Sequence, residues 1–225
     1  MCRLLCCFDV ARTVDLAATV DGMVAAFDDE PPEMLSSGVL LLRGDGTGLT
    51  LDKQVAGVRR GSRRRRVAVR SGELAFVHVR NPMPARPESV TAVNVQPLLL
   101  DRFVCMHNGW IEGAGFEGGP LTSDSRRLFR NWFQQQSSGS DGQSLATSLS
   151  RYMRYLEAAP LTHRLMNVVV YDSGTGELVA YRGRARSEGF PSMFVHREES
   201  HTSVSNFRRG PDDVELRRGQ MWTRK

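Results

Sequence analysis

The placement of the helical stretches leaves this sequence the least freedom in how it folds. Two amphipathic stretches, Asp124 to Gln136 and Ser144 to Leu156, follow one another with only the Ser/Gly segment 137–143 between them. The first carries Leu128, Phe129, Trp132 and Phe133 on one side, the spacing of a single helix face. A third, Asp15 to Phe27, has apolar positions at Leu16, Val20, Met23, Val24 and Phe27 and stops before Pro31-Pro32. The remainder reads as strands joined by turns. Before the helix pair these are residues 3–8, Ser37–Arg43, Leu49–Leu51, Arg66–Arg70, Glu73–Arg80, Val93–Leu100 and Asp101–His107. After it come Leu165–Tyr171, Glu177–Tyr181, Ser192–Val195 and Thr202–Ser205, with a short tail after Pro211. Strands in hairpins with helices grouped between them predict an α+β fold. The strand-helix-strand alternation of a parallel sheet is absent. At 225 residues, with no internal repeat, the chain is one large domain or two small ones.

Net charge is +5, and the excess is concentrated. Arg59, Arg60, Arg63, Arg64, Arg65 and Arg66 flank Gly61-Ser62. Such a run could contact phosphates, but no aromatic residues interleave with it, and a solvated hairpin turn is the preferred reading over a nucleic-acid site. No apolar run approaches the roughly 20 residues of a membrane helix. Neither a secretory leader nor a membrane partner is expected. Three of the four cysteines crowd into positions 2–7, too close together for a disulfide framework, which points to a reducing, cytoplasmic setting.

Chemistry is suggested first at Met1-Cys2-Arg3-Leu4-Leu5-Cys6-Cys7-Phe8. Removal of Met1 would leave Cys2 with a free α-amine. That amine titrates near 7.7–8.0 and the thiol near 8.5, so the amine can take the thiol proton, and nucleophile and base share one residue. The strand that follows would hold it rigidly. Three further places qualify. Arg80 ends the strand Glu73–Arg80 and offers a planar fork that fits a carboxylate. Asn108-Gly109 follows an apolar strand; a side-chain amide and a backbone N–H there can meet a developing oxyanion, although Asn-Gly is also a common turn. Thr122-Ser123-Asp124-Ser125 opens a helix, where any of the four can cap it and an Asp can hold an ammonium.

Taken in order, these residues resemble the class II glutamine amidotransferases, the N-terminal-nucleophile (Ntn) hydrolases that begin Met-Cys. The resemblance runs over nearly the whole chain and is most specific at 2–8, 76–82, 103–110 and 122–128. It is closest to the stand-alone members, such as the γ-glutamyl hydrolase of ergothioneine biosynthesis. It implies a four-layer αββα sandwich of two antiparallel sheets, forming a single domain that spans 2–225. It also implies that Cys2 attacks a γ-amide carbonyl to form a thioester, with Asn108 and the Gly109 N–H as oxyanion hole. Arg80 would hold the substrate α-carboxylate and Asp124 the α-ammonium. His78 and His107 lie in strands beside this site; His107 can help shape the substrate pocket, but a structural histidine is the preferred reading of both. Two positions depart from the pattern. Ser205-Asn206-Phe207 stands where stand-alone relatives commonly carry Ser-Glu-Pro, and Asn81 stands where synthase-fused members carry an aromatic residue.

Cys2, Cys6 and Cys7 lack the further Cys or His ligands of a closed tetrahedral site, so neither metal nor cofactor is expected. Cys105 reads as core, and His163, His196 and His201 show no functional spacing. The expected activity is hydrolysis of a γ-glutamyl amide. The substrate is either a γ-glutamylated metabolite or glutamine, with ammonia passed to a partner synthase subunit. The alternative is a non-catalytic module of the same fold that binds through Arg59–Arg66.

Overall fold

Apolar side chains on both faces of the opening strand demand a covering layer on each side of it. The computed structural model describes residues 2–27, 35–43, 48–55, 67–80, 91–113, 122–137, 142–159, 162–183 and 192–224. Up to the helix pair the elements are β1 (Cys2–Phe8), β2 (Val14–Asp15), α1 (Ala17–Ala25), β3 (Ser36–Arg43), β4 (Leu49–Gln54), β5 (Ala68–Val69), β6 (Glu73–Arg80), β7 (Leu98–Leu100) and β8 (Phe103–Glu112). Then follow α2 (Asp124–Ser137), α3 (Leu145–Ala158), β9 (Thr162–Asp172), β10 (Leu178–Arg182), β11 (Phe194–Arg197), β12 (Thr202–Ser205), β13 (Val214–Glu215) and β14 (Met221–Arg224).

A seven-stranded sheet runs β13-β11-β12-β1-β6-β3-β4, and a five-stranded sheet runs β14-β10-β9-β8-β7. Their paired strands are antiparallel, as is the small β2–β5 ribbon. Alternation along β1 assigns its two faces. Leu4, Cys6 and Phe8 point between the sheets, against Met106, Val169 and Tyr171. Leu5 and Cys7 point outward, under Val20, Met23 and Val24 of α1. The outer face of the five-stranded sheet is covered by α2 and α3 through Phe129, Trp132, Leu149 and Met153. The order is thus helix, sheet, sheet, helices, the expected four-layer αββα sandwich. Ring pairs span the two sheets: Phe76 with Tyr171 at 5.8 Å and Phe8 with Trp222 at 5.3 Å.

Local chemistry explains the helix ends. Ser144 caps α3 by accepting from Thr147 N–H, and Glu177 from the β9–β10 turn accepts from Leu145 N–H at 2.9 Å. A carboxylate at a helix N-terminus also complements the helix dipole. Trp132 Nε1–H donates to Ser148 Oγ at 3.1 Å and ties α2 to α3.

Three stretches differ most from the sequence-based expectation; elsewhere element bounds shift by a few residues, and Asp15 joins the β2–β5 ribbon instead of opening α1. Val93–Leu100 is strand only at Leu98–Leu100; residues 91–97 form a turn. Pro97 supplies no N–H, and Asn94 turns its side chain onto Thr91 and Ser123. That turn can lie on β3 only because residue 38 is glycine: a Cβ there would sit 2.0 Å from Gln96 O. Second, β8 does not open at Asn108-Gly109 but continues to Glu112, since β9 is long enough to pair with it throughout. Third, the expected tail after Pro211 contains β13 and β14, and β14 closes one edge of the five-stranded sheet against β10. Arg59–Arg66, the Pro-rich loop with Asn81, and the Gly-rich loop beyond Gly113 lie outside the described residues. Among the described residues, no helix is long and apolar enough to cross a membrane.

Candidate active site

The gap between the sheets is sealed by apolar side chains along most of its length and turns polar at one end. Cys2 is the first residue of β1 and lies in register with Arg80 of β6, which lies in register with Ser36 of β3. Alternation puts all three on the inward face: Cys2 follows Leu4 and Cys6, Arg80 follows Phe76 and His78, and Ser36 precedes Gly38 and Leu40. Neighbouring strands lie about 4.8 Å apart, so the row spans roughly the length of a small amino acid. Cys2 is half-buried, whereas Cys6, Cys7 and Cys105 are buried. Burial drives the Cys6 and Cys105 thiols well up, and raises Cys7 to about 12. Ser36 is fully buried, and its hydroxyl has no hydrogen-bond partner among the described residues.

The opposite sheet contributes Asn108. Following Val104 and Met106, it points inward from β8, and its Nδ2 donates to the main-chain O of Cys2 at 2.6 Å. The two sheets therefore meet at the residue that carries the thiol.

The free edge of β8 carries the rest. His107 N–H and C=O are both met by the Gln96 side chain, so they point away from β9. An antiparallel strand repeats this every second residue, which places Gly109 N–H on the same edge. Its partner across the ladder agrees: Met166 of β9 turns its carbonyl the other way, to Gly183 N–H at 3.0 Å. Further along the edge, past a register shift between Trp110 and Ile111, Ile111 N–H donates to Asp124 Oδ2 at 3.1 Å. Asp124 is available for this because Ser123 caps α2, accepting from Arg126 N–H at 3.1 Å.

The structure thus brings Cys2, Arg80, Asn108, Gly109 and Asp124 to one end of the sandwich. His107 belongs to the same strand but faces the other way. It is buried toward α2, with Nδ1 2.9 Å from Ser125 Oγ, and Gln96 Nε2 donates to its carbonyl at 3.1 Å. His78 lies behind the row and meets the same carbonyl through Nε2 at 3.2 Å. A carbonyl only accepts, so Nε2 carries the proton. Burial pulls the His78 pKa down to about 3, keeping the ring neutral.

Sequence reasoning passed over Asn206 as a site residue. It follows β12, is fully buried, and its Nδ2 donates to Cys2 O at 2.8 Å while its Oδ1 accepts from Leu4 N–H at 2.8 Å. Its departure from Ser-Glu-Pro was the available signal. A second polar cluster lies at the seven-stranded sheet's edge, where His196 bridges Asp213 and Glu198, and Arg209 Nη1 reaches Ser203 Oγ at 2.6 Å. Among the described residues, no group of His, Cys, Asp and Glu is arranged to hold a metal.

No protein-family model matches the sequence, and no curated protein matches it. Solved structures do. A glutamine aminotransferase class-II domain protein from Silicibacter pomeroyi superposes with TM-score 0.57 at 18% identity, over 98% of this chain and 94% of that one. The architecture has a name. It is the Ntn-hydrolase fold of class II glutamine amidotransferases. Glutamine phosphoribosylpyrophosphate amidotransferase from B. subtilis shares the Ntn fold with TM-score 0.59 at 13% identity, over 99% of this chain and 47% of that one. This chain therefore spans about half of that enzyme. A predicted glutamine amidotransferase from Pseudomonas aeruginosa shares the class II fold with TM-score 0.52 at 12% identity, over 98% and 92% of the two chains.

Proposed function

We propose that this protein hydrolyses γ-glutamyl amide bonds through a Cys2 thioester. The observation that carries the proposal is the convergence on Cys2, with Arg80 beside it in register and Asn108 of the facing sheet 2.6 Å from its carbonyl oxygen. The fold shared with class II glutamine amidotransferases supports it.

Once Met1 is removed, the Cys2 amine takes the thiol proton and Sγ attacks the γ-amide carbon. The carbonyl π electrons move to oxygen, where the second N–H of the Asn108 amide and the Gly109 N–H receive the charge. The ammonium returns its proton to the leaving nitrogen as the C–N bond breaks, leaving a γ-glutamyl thioester. Water, deprotonated by the same amine, attacks the thioester carbon. The C–S bond breaks, glutamate departs and the thiol is restored.

Arg80 pairs with the α-carboxylate and Asp124 with the α-ammonium. Two opposite charges at fixed places select the amino-acid end of the substrate and align its amide, so binding also supplies proximity. His107 contributes from behind, holding α2, and with it Asp124, against β8. The substrate is a γ-glutamylated small molecule; glutamine, with ammonia passed to a partner synthase, is the alternative.

Intact mass and peptide mapping before and after exposure to a glutamine-mimicking diazoketone test this. Loss of Met1 and a single adduct on Cys2 are expected. A Met-free chain that takes no adduct would falsify the proposal and favour a binding module acting through Arg59–Arg66. Product analysis with glutamine and with a γ-glutamyl amine then separates the two substrate classes.

A further inference from the structure

Strand β12 stops short of the nucleophile. Its ladder with β1 ends at the pair Leu5–Ser205. Cys2, Arg3 and Leu4 are paired with β6 on their other side and have no β12 residue opposite. Asn206, the residue just past β12, fills that place mostly with its side chain. Its main-chain N–H donates to Leu4 O at 3.2 Å. Its Oδ1 accepts from Leu4 N–H at 2.8 Å, and its Nδ2 donates to Cys2 O at 2.8 Å. A primary amide offers the donor and acceptor of a peptide group, and here it extends the ladder toward Cys2 where the backbone has turned away. The side chain is fully buried, so water cannot readily replace it. With Asn108 donating to the same oxygen at 2.6 Å, the Cys2 carbonyl is held from both sheets.

We infer that Asn206 is a positioning residue for Cys2. It fixes the carbonyl of residue 2 and thereby sets the direction in which the amine and thiol of that residue project. It touches neither substrate nor reacting atoms. The inference rests on Cys2 being the nucleophile of the proposed hydrolysis.

The test compares the wild type with Asn206→Ala and Asn206→Asp. Aspartate keeps the acceptor for Leu4 N–H but sets an oxygen against Cys2 O. On γ-glutamyl p-nitroanilide both variants should lose on the order of 10²-fold in kcat, the scale of a small misplacement of reacting groups, with KM within about twofold. Equal kcat per folded molecule overturns the inference, as does a loss confined to KM, which would mean substrate contact. The second arm needs no substrate: the pH profile of Cys2 alkylation by iodoacetamide. In Asn206→Asp it should move to higher pH, because a carboxylate beside residue 2 disfavours the thiolate. An unmoved profile overturns the inference. If the wild type turns over no γ-glutamyl amide, the proposed function falls, and the alkylation profile alone decides the role of Asn206.

Discussion

Cys2 and Cys6 lie four residues apart on the same face of β1, and the sandwich treats them in opposite ways. Cys6 is sealed among Leu40, Phe76 and Tyr171, where burial drives its thiol well up and leaves it inert. Cys2 sits where that apolar packing ends, between Arg80 and Asn108. The identity of the residue is the same; its depth between the sheets differs. How far a thiol of this strand is sealed off is therefore a matter of distance along it. The same step from apolar to polar recurs on β6, from Phe76 to Arg80, and on β8, from Met106 to Asn108.

The largest expected contrast comes from removing each thiol. Cys2→Ala should abolish γ-glutamyl turnover, by on the order of 10⁴-fold or more, with an unchanged unfolding midpoint. Cys6→Ala should leave kcat within about twofold and cost about 1 kcal/mol in a urea titration, as small core truncations do. Turnover surviving in Cys2→Ala would break the comparison outright.

Next comes Asn108→Ala. Loss of one oxyanion donor costs about 10²–10³-fold in kcat, read from initial rates at saturating substrate. A loss confined to KM would place Asn108 in substrate binding instead.

Acid stability probes the sealed interior behind the site. His78 is neutral in the folded protein, with its pKa lowered to about 3 by burial, whereas the unfolded chain takes up a proton near 6.5. A lowered folded value means stability that is present above 6.5 and lost as pH falls from there toward 3. Glu198 and Asp213 add to the loss at still lower pH. His196 hydrogen-bonds the Glu198 carboxylate and lowers it. Burial acts to raise Asp213 but is outweighed by hydrogen bonds from Arg209 N–H and His196. Unfolding midpoints should therefore fall steadily between pH 6.5 and 3, and His78→Gln should flatten the upper part of that decline. An equally steep curve in the variant would remove His78 as its source.

The smallest effect is expected at Ser36, whose buried hydroxyl has no partner among the described residues. Ser36→Ala removes a desolvated polar atom and should leave the unfolding midpoint equal or slightly higher. A clear drop would mean that the hydroxyl has a partner after all.

Much of the fold was legible because burial leaves a period in the sequence. Glu73–Arg80 and Thr202–Ser205 were bounded as observed, since both faces of those strands are occupied and turn residues flank them. The helix pair was legible from its apolar faces and from Ser123 and Ser144 at their starts. Asn108-Gly109 misled as a strand end because its turn propensity is local, whereas the β9 ladder that overrides it is contributed more than fifty residues later. The turn at 91–97 was hidden because Val93 and Val95 look strand-like, while the side chains of Asn94 and Gln96 do the shaping. Strand β14 was missed because an edge strand needs only one apolar face, and Met221-Trp222 is a thin signal. Cys2, Arg80, Asn108 and Asp124, which the structure brings to one end of the sandwich, stood out in the sequence through their order along the chain. Asn206 was visible only as a departure from a pattern, because its work depends on a neighbour 204 residues away.

That separation has a consequence for timing. Synthesis runs from Cys2 toward Asn206, so Arg80 and Asn108 leave the ribosome before Asn206 does. Until Asn206 has joined them, Leu4 N–H and the Cys2 carbonyl lack the contacts that its side chain makes. The carbonyl of residue 2 is therefore held from both sheets only once β12 has docked on β1.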